Sequence, residues 1–139
     1  MAIETGLPTS GHVVFLNGTP SSGKSTLARM LRELMEPPYF YLSLDEFRRQ
    51  GYLERYRRRD DGTFFRHVLH GYLLSLRPMA SVGHRVIAEA CVTPERLPMH
   101  LTLFADIPVL FVGVRCPLDE AQWREGARTD RLGPSIDLA

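Results

Sequence analysis

Short apolar runs alternate along the chain with longer segments whose apolar positions recur every three or four residues. His12-Val13-Val14-Phe15-Leu16-Asn17 is the first run and reads as a buried strand. Over Thr26–Met35, Leu27, Met30, Leu31 and Leu34 keep helical spacing, and Pro37-Pro38 stop that helix. Tyr39–Leu44 reads as a second strand, rich in aromatics and ending at Asp45-Glu46. Thr63 reads as the cap of a long helix, along which Phe64, Phe65, Val68, Leu69, Tyr72, Leu73 and Leu76 share a stripe. Pro78 and Gly83 are expected to close it. Arg85–Val92 is a third strand. Thr93-Pro94-Glu95 opens a further helix with Pro94 in its first turn, and Pro98 would disturb it. Pro108–Arg115 is the clearest strand after the first, apolar on both faces as a parallel strand between helix layers should be. Cys116-Pro117-Leu118-Asp119 leads into a charged helix carrying Glu120, Trp123, Arg124, Glu125 and Arg128. Strand and helix in strict alternation predict an α/β fold: a doubly wound, mostly parallel sheet of four strands with helices on both faces.

Length and composition narrow this picture. With 139 residues and 44% hydrophobic content, the chain is expected to form one domain over residues 1–139. The net charge of +1 does not suggest a nucleic-acid binder. No apolar run approaches the length needed to span a bilayer, and Met1–Gly6 lacks the basic and apolar regions of a signal peptide. Cys91 and Cys116 are isolated and form no CxxC, which fits a reducing, cytoplasmic setting and reads as small buried hydrophobes. No partner membrane or nucleic acid is expected.

The chemistry concentrates in Gly18-Thr19-Pro20-Ser21-Ser22-Gly23-Lys24-Ser25, which matches the phosphate-binding pattern G-x-x-x-x-G-K-[ST]. A strand delivers the chain to it and a helix leaves it, as that pattern requires. Glycines let the backbone wrap closely around a phosphate, and the helix N-terminus adds partial positive charge at the same place. Lys24 should reach the β- and γ-phosphates, and the Ser25 hydroxyl should bind Mg²⁺. A phosphate loop after the first strand makes this a P-loop NTPase of small-kinase type, with strand order 2-3-1-4 by fold analogy.

In an open α/β sheet, chemistry collects at the carboxyl ends of the strands. Asp45, at the end of the second strand, therefore shares an edge with the phosphate loop. It can also serve as the N-cap of the segment that follows. Residues 48–62 carry Arg48, Arg49, Arg55, Arg57, Arg58 and Arg59 with Tyr52 and Tyr56 interleaved. This stretch reads as a solvated surface loop or short helix that could border an acceptor pocket. His67 and His70 lie three apart on the long helix, where surface or core histidines are the simpler reading than metal ligands.

Several segments together resemble the chloramphenicol phosphotransferase-like proteins: Leu16-Asn17-Gly18 through Gly23-Lys24-Ser25, Leu44-Asp45, and Val112-Gly113-Val114-Arg115-Cys116-Pro117 through Arg124-Glu125-Gly126-Ala127-Arg128-Thr129-Asp130-Arg131. The resemblance implies transfer of the ATP γ-phosphate to a hydroxyl of a small molecule. It implies nucleotide binding by Gly18, Thr19, Pro20, Ser21, Ser22, Gly23, Lys24, Ser25 and Thr26. Asp45 becomes the carboxylate near the acceptor hydroxyl, and Arg128, Arg131 and Arg124 become lid cations. Where the family usually shows paired acids at the end of the third strand, this chain has Ala88-Glu89-Ala90. Glu89 is then the acid that holds Mg²⁺ through water, with Ser25.

The acceptor in this reading is chloramphenicol-like, or another metabolite, nucleotide or sugar nucleotide; a non-catalytic nucleotide-binding module stays open beside them. No N-K-x-D guanine-reading motif is present, which argues against a GTPase. The family pattern runs beyond Arg131 with another strand and helix, whereas this sequence ends at Ala139. That predicts a loosely held base and self-association through the unguarded fourth strand.

Overall fold

A computed structural model describes residues 11–36, 38–51 and 62–128. Four strands, β1 (His12–Asn17), β2 (Phe40–Ser43), β3 (Arg85–Ala90) and β4 (Val109–Gly113), form one parallel sheet in the order β2-β3-β1-β4. The helices are α1 (Lys24–Leu34), α2 (Leu44–Gly51), α3 (Thr63–Ser81), α4 (Leu97–Leu101) and α5 (Leu118–Ala127), with a 3₁₀ turn at Thr102–Phe104. The expected α/β architecture and strand order are therefore observed.

Side-chain alternation along β1 divides the core in two. Val13 and Phe15 face one side, where they pack with Leu69, Tyr72, Leu73 and Leu76 of α3 and with Val86 and Ala88. Val14 and Leu16 face the other, packing with Ala28 and Ile87 and with the partly buried Leu27 and Leu31 of α1. Leu73 and Leu76 are wholly buried, and each such side chain contributes about 2 kcal/mol of apolar transfer. On α1 the buried arc is centred between Leu27/Leu31 and Ala28. Met30 and Leu34 fall on its far flank and are exposed, so half of the expected stripe faces solvent.

Several boundaries differ from the sequence expectation, each for a local reason. Thr63 is the first helical residue of α3; Gly62, with φ 85°, precedes it without a side-chain cap. Pro78 lies inside α3 and does not close it. Both Pro78 and Leu74, whose carbonyl loses the hydrogen bond, lie on the exposed face, where that carbonyl is open to solvent. Pro98, expected to disturb a helix opening at Pro94, sits in the first turn of α4, where a missing N–H costs nothing. Cys91 is exposed rather than buried because β3 ends at Ala90; Cys116 is half-buried. Among the described residues β4 is an edge strand, bonded to β1 alone. Leu110 is 62% exposed and Phe111 40%, so β4 is not covered on both faces as expected. Phe111 still packs its ring on Phe15 and Phe104. No described helix is long and apolar enough to cross a membrane.

Candidate active site

β1 ends at Asn17, and its side-chain amide ties the root of the loop to the chain that follows β3. Asn17 Nδ2 donates to the Val92 carbonyl at 2.9 Å, and the Val92 N–H donates to Asn17 Oδ1 at 2.8 Å. The Val114 N–H donates to the Asn17 carbonyl at 2.7 Å. Beyond this root Gly18 presses against the chain after β4: a Cβ there would lie 2.3 Å from the Val114 carbonyl oxygen. Only glycine fits. The loop closes through Ser21, at φ 58°, and Gly23, at φ 99°, both in the left-handed region. α1 then starts at Lys24, so its first N–H groups face the turn. Lys24 Nζ donates to the Gly18 carbonyl at 2.8 Å and the Thr19 carbonyl at 2.6 Å, lying back along its own loop. The Ser22 hydroxyl is buried without a hydrogen-bond partner.

Glu89 lies at the carboxyl end of β3, opposite Leu16 of β1 and Ser43 of β2. It is buried. Its Oε1 accepts from the Ser25 hydroxyl at 2.8 Å and the Ser43 hydroxyl at 3.0 Å, whereas Oε2 is buried with no partner. From the other face of the sheet, the Tyr72 hydroxyl reaches the same strand ends. It accepts from the Glu89 N–H at 3.0 Å, and its one proton lies between the Leu42 carbonyl at 2.8 Å and the Glu89 carbonyl at 2.9 Å. Burial, joined by the Glu89 and Asp45 charges, pushes the Tyr72 phenol above its ordinary value. Burial and then the Glu89 charge push the Tyr41 phenol up to about 12. Both phenols thus stay protonated at neutral pH. Ser43, Tyr41 and Tyr72 are absent from the sequence-based site. The alternation Tyr39-Tyr41-Ser43 against Phe40-Leu42 was the available signal, because it puts Tyr41 and Ser43 on one face of β2.

Asp45 lies in the first turn of α2, so it is not the N-cap. Ser43 takes that place, its hydroxyl accepting the Glu46 N–H at 3.5 Å. The helix starts one residue before Asp45, and the carboxylate is left to point elsewhere. Asp45 Oδ1 stands 3.7 Å from Arg48 Nη1, and the Arg48 guanidinium carbon lies 4.9 Å from the centre of the Phe65 ring. Of the basic stretch, Arg48 and Arg49 lie on α2; Arg55, Arg57, Arg58 and Arg59 fall outside the described residues.

α5 supplies the remaining flank. Ser21 Oγ donates to Glu125 Oε2, which pins the left-handed residue of the loop to the helix. Arg124 donates from Nε to Glu120 at 2.8 Å, and its Nη1 is the nearest atom to the position a Cβ would take on Gly23, at 4.0 Å. Arg128 follows the last turn of α5, its N–H donating to the Glu125 carbonyl at 3.3 Å. Arg131 lies outside the described residues. Among the described residues no group of three or more His, Cys, Asp or Glu side chains is placed to hold a metal ion; His67 and His70 are exposed on α3.

A glycine-bounded loop between a central parallel strand and a helix, with an acid at the end of the adjacent strand, defines a P-loop protein of kinase type. The model of the chloramphenicol phosphotransferase-like protein family matches residues 11–136, and the chain belongs to that family. No curated protein matches the sequence. Among solved structures, the fold is similar to a chain of the Pnkp1/Rnl/Hen1 RNA repair complex, with TM-score 0.72 and 18% identity over 97% of this chain. This chain spans 43% of that one. It is also similar to the Mycobacterium tuberculosis APS kinase CysC in complex with AMPPNP and APS: TM-score 0.69, 24% identity, 85% of this chain and 70% of that one. Shikimate kinase from Acinetobacter baumannii in complex with shikimate gives TM-score 0.61 and 22% identity, over 85% of this chain and 62% of that one.

Proposed function

We propose that the protein moves the γ-phosphate of ATP to a hydroxyl of a small molecule. The observation that carries this reading is the buried Glu89 carboxylate. One of its oxygens is held by the loop serine Ser25 and the other has no partner, one strand away from the acid-bearing start of α2.

The residues present fit Mg²⁺. A kinase-type magnesium site takes one or two carboxylates and completes its shell with water and phosphate, so a large ligand cluster is not required. Ser25 and Glu89 would hold the ion, Glu89 through water, and its orphaned Oε2 is a polar atom in want of such a neighbour. When bound, Mg²⁺ neutralises charge on the β- and γ-phosphates.

The chain's own residues do the rest. The turn at Gly18–Gly23 and the first N–H groups of α1 cradle the phosphates. Lys24 exchanges its two loop carbonyls for phosphate oxygens. The acceptor oxygen forms a bond to the γ-phosphorus as the bond to the β-phosphate oxygen breaks, and ADP leaves. The acceptor proton passes to Asp45, late in a loose transition state. Arg128 and Arg131 neutralise charge on the transferred group, and Arg124 neighbours the loop at Gly23.

The acceptor is chloramphenicol-like or another hydroxyl-bearing metabolite. One observation favours a metabolite with an acidic group. Arg48 makes no hydrogen bond among the described residues and is steadied beside Asp45 by the Phe65 ring, so a guanidinium is available to such a group. A γ-phosphate transfer screen against hydroxyl-bearing antibiotics and metabolites tests the reading, with ATP hydrolysis measured alongside. Nucleotide binding without transfer to any acceptor would instead support a non-catalytic module.

A further inference from the structure

We propose that Ser43 is a positioning residue for the magnesium-binding carboxylate, holding Glu89 in the orientation that lets Ser25 and Glu89 take up the metal with the nucleotide. The inference rests on the proposed roles of Ser25 and Glu89, and its test reads binding rather than transfer.

Ser43 and Glu89 face each other in register across β2 and β3. A serine hydroxyl has one proton and two lone pairs. Ser43 gives the proton to Glu89 Oε1 at 3.0 Å and accepts the Glu46 N–H at 3.5 Å. Ser25 gives its own proton to the same Oε1 at 2.8 Å and keeps its lone pairs for a cation. Two donors on one oxygen remove the equivalence of the carboxylate: Oε1 is engaged, and Oε2 alone is left for an outside ligand.

This matters more for a lone glutamate than for a pair of aspartates. Glutamate has one more torsion to fix, and here Ala88 and Ala90 flank it, so no adjacent acid shares the task. A carboxylate oxygen buried without a partner is costly, and the hydroxyls of Ser25 and Ser43 keep the group where a cation or its water can relieve that cost. The Glu46 N–H bond adds a second consequence. It belongs to the first turn of α2, which also carries Asp45. One hydroxyl therefore joins the metal-binding acid to the helix that presents the proposed base.

The test is the affinity of the full chain for a non-hydrolysable ATP analogue, measured by calorimetry with saturating Mg²⁺ and again with EDTA. Wild type should bind more tightly with Mg²⁺. Ser43→Ala should lose about tenfold of that gain, the usual effect of removing a group that orients a metal ligand, while its EDTA affinity stays unchanged. Ser43→Thr keeps the hydroxyl and should keep the gain. A Ser43→Ala protein with the full Mg²⁺ gain would overturn the proposal, as would equal losses with and without Mg²⁺, or a Ser43→Thr protein that loses the gain. Failure of wild type itself to show a Mg²⁺ gain would remove the reading of Ser25 and Glu89 beneath it.

Discussion

The nucleotide side and the acceptor side of the proposed site are built by different means. The loop is held from every flank: Gly18 against the Val114 carbonyl, Ser21 on Glu125, Ser25 on the buried Glu89, and Asn17 on the chain after β3. The acceptor side is one half-exposed carboxylate on the two-turn helix α2, steadied by a 3.7 Å ion pair with Arg48. The first arrangement leaves little freedom and suits a ligand part that never changes, a polyphosphate. The second exposes side chains that can vary without disturbing the sheet. Solved structures of similar fold are complexes with APS in one case and shikimate in another, and the contrast offers a physical reason why such a frame can hold different small molecules.

Breaking the nucleotide side should have the largest effect. Lys24→Ala removes the point charge proposed to meet the transferred group and should lower turnover about 1000-fold, in line with loss of a donor to developing charge, with the fold intact by circular dichroism. Near-normal transfer would end the assignment of the loop.

Asp45→Asn sharpens the contrast, since it keeps the shape and removes the proposed base. Turnover should fall about 100-fold with ATP affinity little changed, as for loss of one general base. Collapse of ATP affinity with turnover preserved at saturation would move Asp45 to the metal side.

Tyr72→Phe tests what holds the two sides together, because the Tyr72 hydroxyl bonds the ends of both β2 and β3. Its removal strands a buried N–H and carbonyls and should destabilise the fold by about 2 kcal/mol in denaturant titration. A loss near zero would show that water replaces the hydroxyl.

The smallest effect is expected at the loop's outer flank. Glu125→Ala frees the left-handed Ser21 and should weaken ATP binding by about fivefold, equivalent to roughly 1 kcal/mol, with turnover at saturation unchanged. An unchanged ATP affinity would mean that the loop keeps its conformation without α5.

The same contrast explains what could be read from the sequence. β1, the loop and α1 are contiguous, and their chemistry follows from local spacing, so they were legible at once. Glu89 was legible only through the family resemblance. Its bonds to Ser25 and Ser43 cross 64 and 46 residues of chain and depend on strand register, which no local pattern states. The alternative of Asp45 as a cap does not hold, because Ser43 and Asp45 are both capping types and only the backbone decides between them. Pro78 is tolerated for a related reason that spacing does not state: only three residues of α3 follow it, and the freed Leu74 carbonyl is on the exposed face. β4 reads as apolar throughout, but an edge position leaves Leu110 to solvent.

The most direct test of the central claim is the fate of the γ-phosphate. With Mg²⁺, ATP and a panel of hydroxyl-bearing small molecules, phosphorus NMR should show an acceptor phosphate ester rising in step with ADP for wild type, and that ester should nearly vanish for Asp45→Asn. ADP rising with inorganic phosphate alone, or an ester formed equally well by Asp45→Asn, would contradict the account.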